Sequence, residues 1–174
     1  MSDTQQKIII NRDLFPGNVC FGCGADNPQG LHIEIFQGEE NKDRLLGIFK
    51  PTPHMIGFPG ITHGGVIYSA LDCLGAWVPT ILRKATKAIW ILRSASMTYH
   101  KAAPESADLH LMGMIEQAGK EWEAITVHTE ARNSKGDLLA EGKFKVIPLP
   151  VEKFKKVAGI EKLPENWEKL LGEN

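Results

Sequence analysis

Apolar and polar residues alternate over 31–36, where Leu31, Ile33 and Ile35 interleave with His32, Glu34 and Phe36, and this period of two predicts a strand. Residues 44–50 read as its antiparallel partner. The pattern breaks over 51–62, which hold three prolines and two glycines and predict a loop. That loop leads into His63-Gly64-Gly65 and a long apolar run, 66–82, with the content of a helix that sits in the core. Pro79 should make this helix falter, because it lacks an N–H and its ring crowds the carbonyl of Gly75. Alternation resumes over 88–101, with Ile89, Ile91, Arg93, Ala95, Met97 and Tyr99 on one side. Residues 107–117, 121–132 and 138–147 then predict three consecutive antiparallel strands, joined by turns at 118–120 and 133–137. The rest, 151–174, is rich in Lys and Glu, carries Pro164 and Trp167, and predicts one or two short surface helices.

Two strands, one long helix and four more strands define an α+β class, a single antiparallel sheet wrapped around one helix. The open edge of such a sheet invites pairing with a second copy. The 174 residues suit one domain, taken as 20–150, with an N-terminal segment, 1–19, and a C-terminal helical extension, 151–174. Hydrophobic residues at 43% and charged residues at 24% are enough to fold without a partner. With 20 Lys and Arg against 21 Asp and Glu, no basic field exists for nucleic acid. The run 66–82 is too short, and too interrupted by Asp72, to be expected in a membrane. Three cysteines and a polar start without a signal pattern favour the reducing cytoplasm.

Helical spacing from Asp72 gathers Gly65, Tyr68, Ser69, Gly75 and Ala76 on one face, with Val66, Ile67, Ala70, Leu71, Leu74 and Val78 mainly on the other. A carboxylate on such a small, partly polar face is either paired with polar neighbours or works as a nucleophile or general base. At the start of the helix, Gly64 and Gly65 offer backbone N–H groups without intrahelical partners. These can hold an oxyanion, unless the glycines merely turn a corner and His63 merely caps the helix. Gly64 and Asp72 lie eight positions apart, ~12 Å along one helix, so one carbonyl can scarcely serve both. Two antiparallel helices across a dimer axis would bring the glycine end of one chain towards the Asp of the other. Cys20 and Cys23 have the spacing of half a zinc site, but zinc needs four ligands and Cys73 lies in the core helix. The pair therefore reads mainly as a turn that packs two thiols, with zinc or redox chemistry as lesser readings and no metal expected. No phosphate-binding glycine loop or nucleophile elbow is present, and no cofactor is expected.

The runs Cys20-Phe21-Gly22-Cys23-Gly24, Asn27-Pro28-Gln29-Gly30-Leu31, Gly60-Ile61-Thr62-His63-Gly64-Gly65 and Leu71-Asp72 resemble the hotdog-fold thioesterases, in particular their phenylacetic-acid-degradation (PaaI-like) type. The resemblance spans roughly 20–147, and its most specific part is His-Gly-Gly followed by Asp nine residues after the His. It implies a homodimer or dimer of dimers that hydrolyses acyl-coenzyme A thioesters without metal or bound cofactor. Gly64 then polarises the thioester carbonyl, and Asp72 acts as nucleophile or base, supplied by the partner subunit. A family position that is commonly asparagine falls near Gly57 here, and a threonine used by some relatives corresponds to Leu92, with Ser94 and Ser96 nearby. These departures leave room for a non-catalytic acyl-thioester binding protein on the same fold. A hydratase would want a His working with the Asp, and the helix has none downstream. His54, Phe58, Ser69, Ser94 and Ser96 are candidate substrate contacts. Arg83, Lys84, Lys87, Lys101, Arg132 and Lys135 are candidate partners for coenzyme A phosphates.

Overall fold

The computed structural model describes residues 7–38, 40–83 and 86–171. Six antiparallel strands form one sheet: β1 (Glu34–Gln37), β2 (Arg44–Phe49), β5 (Ala88–Tyr99), β6 (Leu109–Gln117), β7 (Ile125–Arg132) and β8 (Leu138–Pro150). Their order is β1-β2-β6-β7-β8-β5, so the strand that follows the helix becomes one edge of the sheet. The segment expected to be only loop holds more structure. It contains a helical turn, Pro53–Met55, and a small hairpin of β3 (Ile56–Phe58) and β4 (Ile61–Thr62), which delivers the chain to helix α1 (Gly64–Leu82).

Helix α1 lies across the sheet on Ile67, Ala70, Leu71, Leu74 and Val78, all buried. Each such aliphatic side chain contributes ~1.5–3 kcal/mol when fully removed from water. The approach is close because glycines face it. A Cβ at Gly113 of β6 would lie 2.8 Å from Val78 Cγ2, whereas one at Gly75 would meet Phe144 of β8 at an ordinary 3.5 Å. Gly75 therefore belongs to the buried face and not with Asp72. The helix is covered less fully than its composition suggests, since Gly65, Ser69, Asp72, Cys73, Ala76 and Thr80 leave an open stripe along it. It also does not falter at Pro79. The proline is buried, the helix runs on to Leu82, and Arg83 N–H bonds the Pro79 carbonyl at 2.9 Å. Burial of Trp77 and Val78 in the same turn outweighs the one hydrogen bond a proline removes.

A bulge in β5 decides which side chains reach the helix. Leu92 pairs with Val146 of β8, but Ser94 pairs with Lys145, so Arg93 is an extra residue. Before it, Ala88, Trp90 and Leu92 face inward; after it, Ala95, Met97 and Tyr99 do, because they lie opposite Phe144, Gly142 and Ala140. One inserted residue exchanges the two faces of a strand.

Segments toward both ends of the described residues join this core. Asn11, 2% exposed, donates to the carbonyls of Cys23 and Ile33 and accepts from Ile35 N–H, and so fixes the N-terminal turn, Ile10–Leu14, against β1. At the other end, α2 (Val151–Ala158) and α3 (Glu165–Leu171) are the two short helices expected, but α3 is not purely a surface element. Its Trp167 ring packs edge-on to Phe15 at 5.2 Å, Phe15 meets Trp77 at 4.5 Å, and Leu171 is buried.

Candidate active site

At the start of α1, His63 caps the helix: its Nδ1 accepts the Gly65 N–H at 3.0 Å. This assigns the ring proton to Nε2. The His63 carbonyl accepts from Val66 and Ile67, so three of the first four helical N–H groups are occupied. Gly64 N–H alone has no acceptor among the described residues. Of the two glycines read as donors, only Gly64 is free to donate. Its carbonyl is held from the other side by the Tyr99 hydroxyl, which donates at 2.9 Å. The Gly64–Gly65 peptide is thus held at both ends, while the preceding His63–Gly64 peptide, fixed by its His63 carbonyl, keeps the Gly64 N–H unpaired at the positive end of the helix dipole.

A cleft of 460 Å³ opens at this point, lined by Phe58, Thr62, His63, Gly64, Tyr99 and Lys101 among others. Phe58, 74% exposed, is among its lining residues. Tyr99 was not singled out from sequence, since only the β5 bulge turns it inward. Burial raises the pKa of its hydroxyl, which therefore stays protonated and able to donate. The departure at Gly57 also has a steric reason. A Cβ there would lie 3.2 Å from His63 Cα and Cδ2, so the His63 ring takes the space that a longer side chain would need.

Asp72 lies two turns further along, on the open stripe, and does not line the cleft at Gly64. It is half-buried and makes no hydrogen bond or ion pair with any described residue. Burial raises its pKa, and a negative Cys20 nearby raises it further. An unpaired, partly desolvated carboxylate on an open helix face is a stronger base than a free one and is poorly placed as a structural group.

The remaining candidates separate. Ser69 Oγ donates to the Gly65 carbonyl at 2.9 Å, a bond internal to the helix. His54 sits in the helical turn before β3, its ring against Thr52 Oγ1 at 3.2 Å, and does not line the cleft. Ser94 and Ser96 face away from the helix, opposite Lys145 and Lys143. Of the cations, Lys101 alone lines the cleft at Gly64, where it also pairs with Asp137 at 2.7 Å. Arg83 donates to the Gly119 carbonyl at the far end of α1. Arg132 is engaged by Glu130 at 2.8 Å, Lys87 lines clefts near the C-terminal helices, and Lys135 N–H bonds Asn133 in a turn. Lys84 lies outside the described residues.

Cys73 is not sealed in the core. It lies on the open stripe, its Sγ 3.7 Å from Cys20 Sγ, and the Sγ atoms of Cys20, Cys23 and Cys73 all lie within 4.8 Å of one another. Hydrogen bonds from Cys23 and Cys73 hold the Cys20 thiol well below its usual pKa, while the same bonds and burial push Cys73 up. Beside this cluster a second cleft, 360 Å³, runs between Trp77, Thr80, Trp90 and Trp167.

A six-stranded antiparallel sheet in this order, wrapped around one long helix, is a hotdog fold, shared with solved thioesterase structures. Among solved structures, the chain is similar to the PaaI protein of the Escherichia coli phenylacetic acid degradation operon: 15% identity, 68% of this chain and 80% of that one, TM-score 0.58. It is also similar to zebrafish thioesterase superfamily member 2: 18% identity, 80% and 93% coverage, TM-score 0.61. A third likeness is to a hypothetical thioesterase protein from Streptococcus pneumoniae solved with coenzyme A: 19% identity, 67% and 84% coverage, TM-score 0.57. No family model and no curated protein matches the sequence.

Proposed function

We propose that the protein is an acyl-coenzyme A thioesterase that works as a homodimer with two composite sites. The observation that carries this is the Gly64 N–H: unpaired at a helix start, on a peptide whose His63 carbonyl is held by Val66 and Ile67, next to a peptide held by Tyr99 and His63, at a cleft of ligand size. Such a donor stabilises the oxyanion that forms when a thioester carbonyl is attacked, by ~3 kcal/mol in comparable sites. Water supplies the nucleophile. Asp72 of the partner subunit takes its proton, the C–S bond breaks, and coenzyme A leaves as the thiolate. In the variant where the carboxylate attacks directly, water then opens the mixed anhydride. Solved neighbours bound to acetyl-CoA, from Streptococcus mutans, and to coenzyme A support the ligand class.

The placement of groups supports the dimer. Gly64 and Asp72 face different parts of the helix surface, and β5 is an edge strand with free pairing groups. Pairing β5 with its copy would extend the sheet and lay two α1 helices side by side. A cytoplasmic, reducing location suits Cys20 and Cys73, which stand close enough to be oxidised elsewhere.

The test is thiol release from a panel of short, long and aromatic acyl-CoA thioesters, with Asp72→Asn beside the unmodified protein. Turnover lost in the variant supports the reading. Coenzyme A esters bound without turnover would support the second one, an acyl-thioester binding protein, which the glycine at position 57 favours.

A further inference from the structure

The three cysteines that the thioesterase reading leaves unused form a cluster with metal-site geometry. In a tetrahedral zinc–thiolate site, Zn–S bonds of about 2.3 Å place the sulfurs about 3.8 Å apart. Cys20 Sγ and Cys73 Sγ are 3.7 Å apart, and no pair among the three exceeds 4.8 Å. Cys20 and Cys23 come from one tight loop and Cys73 from helix α1, so the ligands would join two elements far apart in sequence.

The backbone is built to allow this approach. A Cβ at Gly22 would stand 2.2 Å from Cys73 Sγ, and one at Gly24 would stand 2.4 Å from Cys20 N. Only glycine at both positions lets the loop fold this tightly and rest on Cys73. Gly24 N–H bonds the Cys20 carbonyl at 2.9 Å, and Asn18 Oδ1 accepts Cys20 N–H at 3.0 Å, so the loop holds its shape by itself. Cys23 Sγ also receives two N–H donors, Trp77 Nε1 at 3.2 Å and Asn18 Nδ2 at 3.7 Å. Donors aimed at sulfur stabilise a thiolate and are the outer-sphere contacts of metal-bound cysteine. Thiols that only fill space would have no use for them.

We propose that Cys20, Cys23 and Cys73 form a three-thiolate zinc site that fastens the 18–24 loop to helix α1 beside Asp72. Cys20 is exposed, so the fourth position faces solvent and takes a water. Binding forms three Zn–S bonds, releases to solvent the protons still held by the thiols, and transfers no electrons. The competing outcome is a Cys20–Cys73 disulfide. It would leave out Cys23, the sulfur to which both N–H donors point.

The experiment uses the full chain purified under reductant, with metal measured by elemental analysis and with cobalt(II) as a spectroscopic substitute. The expected result is one zinc per chain, and for cobalt a thiolate charge-transfer band with intense tetrahedral ligand-field bands. All three thiols should resist a thiol reagent until a chelator is added. Cys20→Ser, at an exposed position, should weaken metal binding by at least about tenfold without changing the circular dichroism spectrum. Cys73→Ala should do the same, with its folding checked by size exclusion. Thiols that react at the same rate with and without zinc, together with no cobalt charge-transfer band, would overturn the proposal. A Cys20–Cys73 disulfide in metal-free protein as isolated, found by non-reducing peptide mapping, would overturn it as well.

Discussion

Replacing Gly64 with proline should remove one hydrogen-bond donor from the start of α1 and little else. Position 64 opens the helix, where proline is well tolerated because its missing N–H has no intrahelical acceptor. His63 has φ −61° and ψ 133°, the extended conformation that a residue before proline prefers. The new Cβ would sit 3.4 Å from the Tyr99 ring, an ordinary contact, and the Tyr99 bond to the Gly64 carbonyl can persist. Gly64 N–H has no partner to lose, so stability should stay within ~1 kcal/mol of the unmodified protein and could rise through reduced unfolded-state entropy. The rate should not be spared. Loss of one oxyanion donor costs ~2.7–4 kcal/mol, about 100- to 1000-fold in kcat. Gly64→Ala is the control, since it adds the same Cβ and keeps the N–H. The assay is continuous thiol release at saturating acyl-CoA, with thermal melts of all three proteins. If the proline variant matched the alanine variant in kcat, Gly64 N–H would not be the donor, and the carrying observation of the proposed mechanism would be lost.

Mixing tests whether the site is shared. Co-refolded Gly64→Pro and Asp72→Asn chains should regain about a quarter of the unmodified rate, because half of randomly assorted dimers carry one intact composite site of two; no recovery would place both groups in one chain. Asp72→Asn alone should abolish turnover and leave coenzyme A affinity within about twofold by calorimetry. Two glycines at the helix–sheet contact, Gly113 on β6 and Gly75 on α1, should differ in sign. Gly113→Ala drives a Cβ into Val78 and should lower stability by ~1–3 kcal/mol in urea melts, while Gly75→Ala meets Phe144 at contact distance and should be neutral or raise it by up to ~1 kcal/mol. Glu130 is partly desolvated, which raises its pKa, but Arg132 at 2.8 Å and His128 at 3.2 Å hold it below the ordinary glutamate value. Its contribution to stability is therefore full above the unfolded value of ~4.3 and is lost as pH falls through the lowered folded value. Arg132→Ala should flatten the acid side of the stability profile.

Local pattern in the sequence determined the fold class of this protein. Period-two alternation marked the strands over 31–36 and 88–101, the apolar run 66–82 marked the helix, and the turns at 118–120 and 133–137 made β6, β7 and β8 antiparallel neighbours; that β5 lies beside β8 and not β6 was decided by the tertiary structure. His63-Gly64-Gly65 and Asp72 stood out for the same reason, since a helix start and a carboxylate on a helix face are features of neighbouring residues. Only the tertiary structure decided what depends on contacts distant in sequence or on a single inserted residue. The bulge at Arg93 turns Tyr99 towards Gly64 and sends Ser94 and Ser96 outward, and an alternation read straight through it assigns every later side chain to the wrong face. The His63 ring takes the Gly65 N–H and leaves Gly64 as the donor, a choice made by side-chain rotamer and not by residue type. Helix α1 continues past Pro79 because buried neighbours in its last turns outweigh one lost hydrogen bond. Cys73 joins Cys20 and Cys23 because the sheet covers one face of α1 and the 18–24 loop settles on the other, 53 residues away along the chain from Cys20. Periodicity tells which residues share a face; packing alone tells what that face meets.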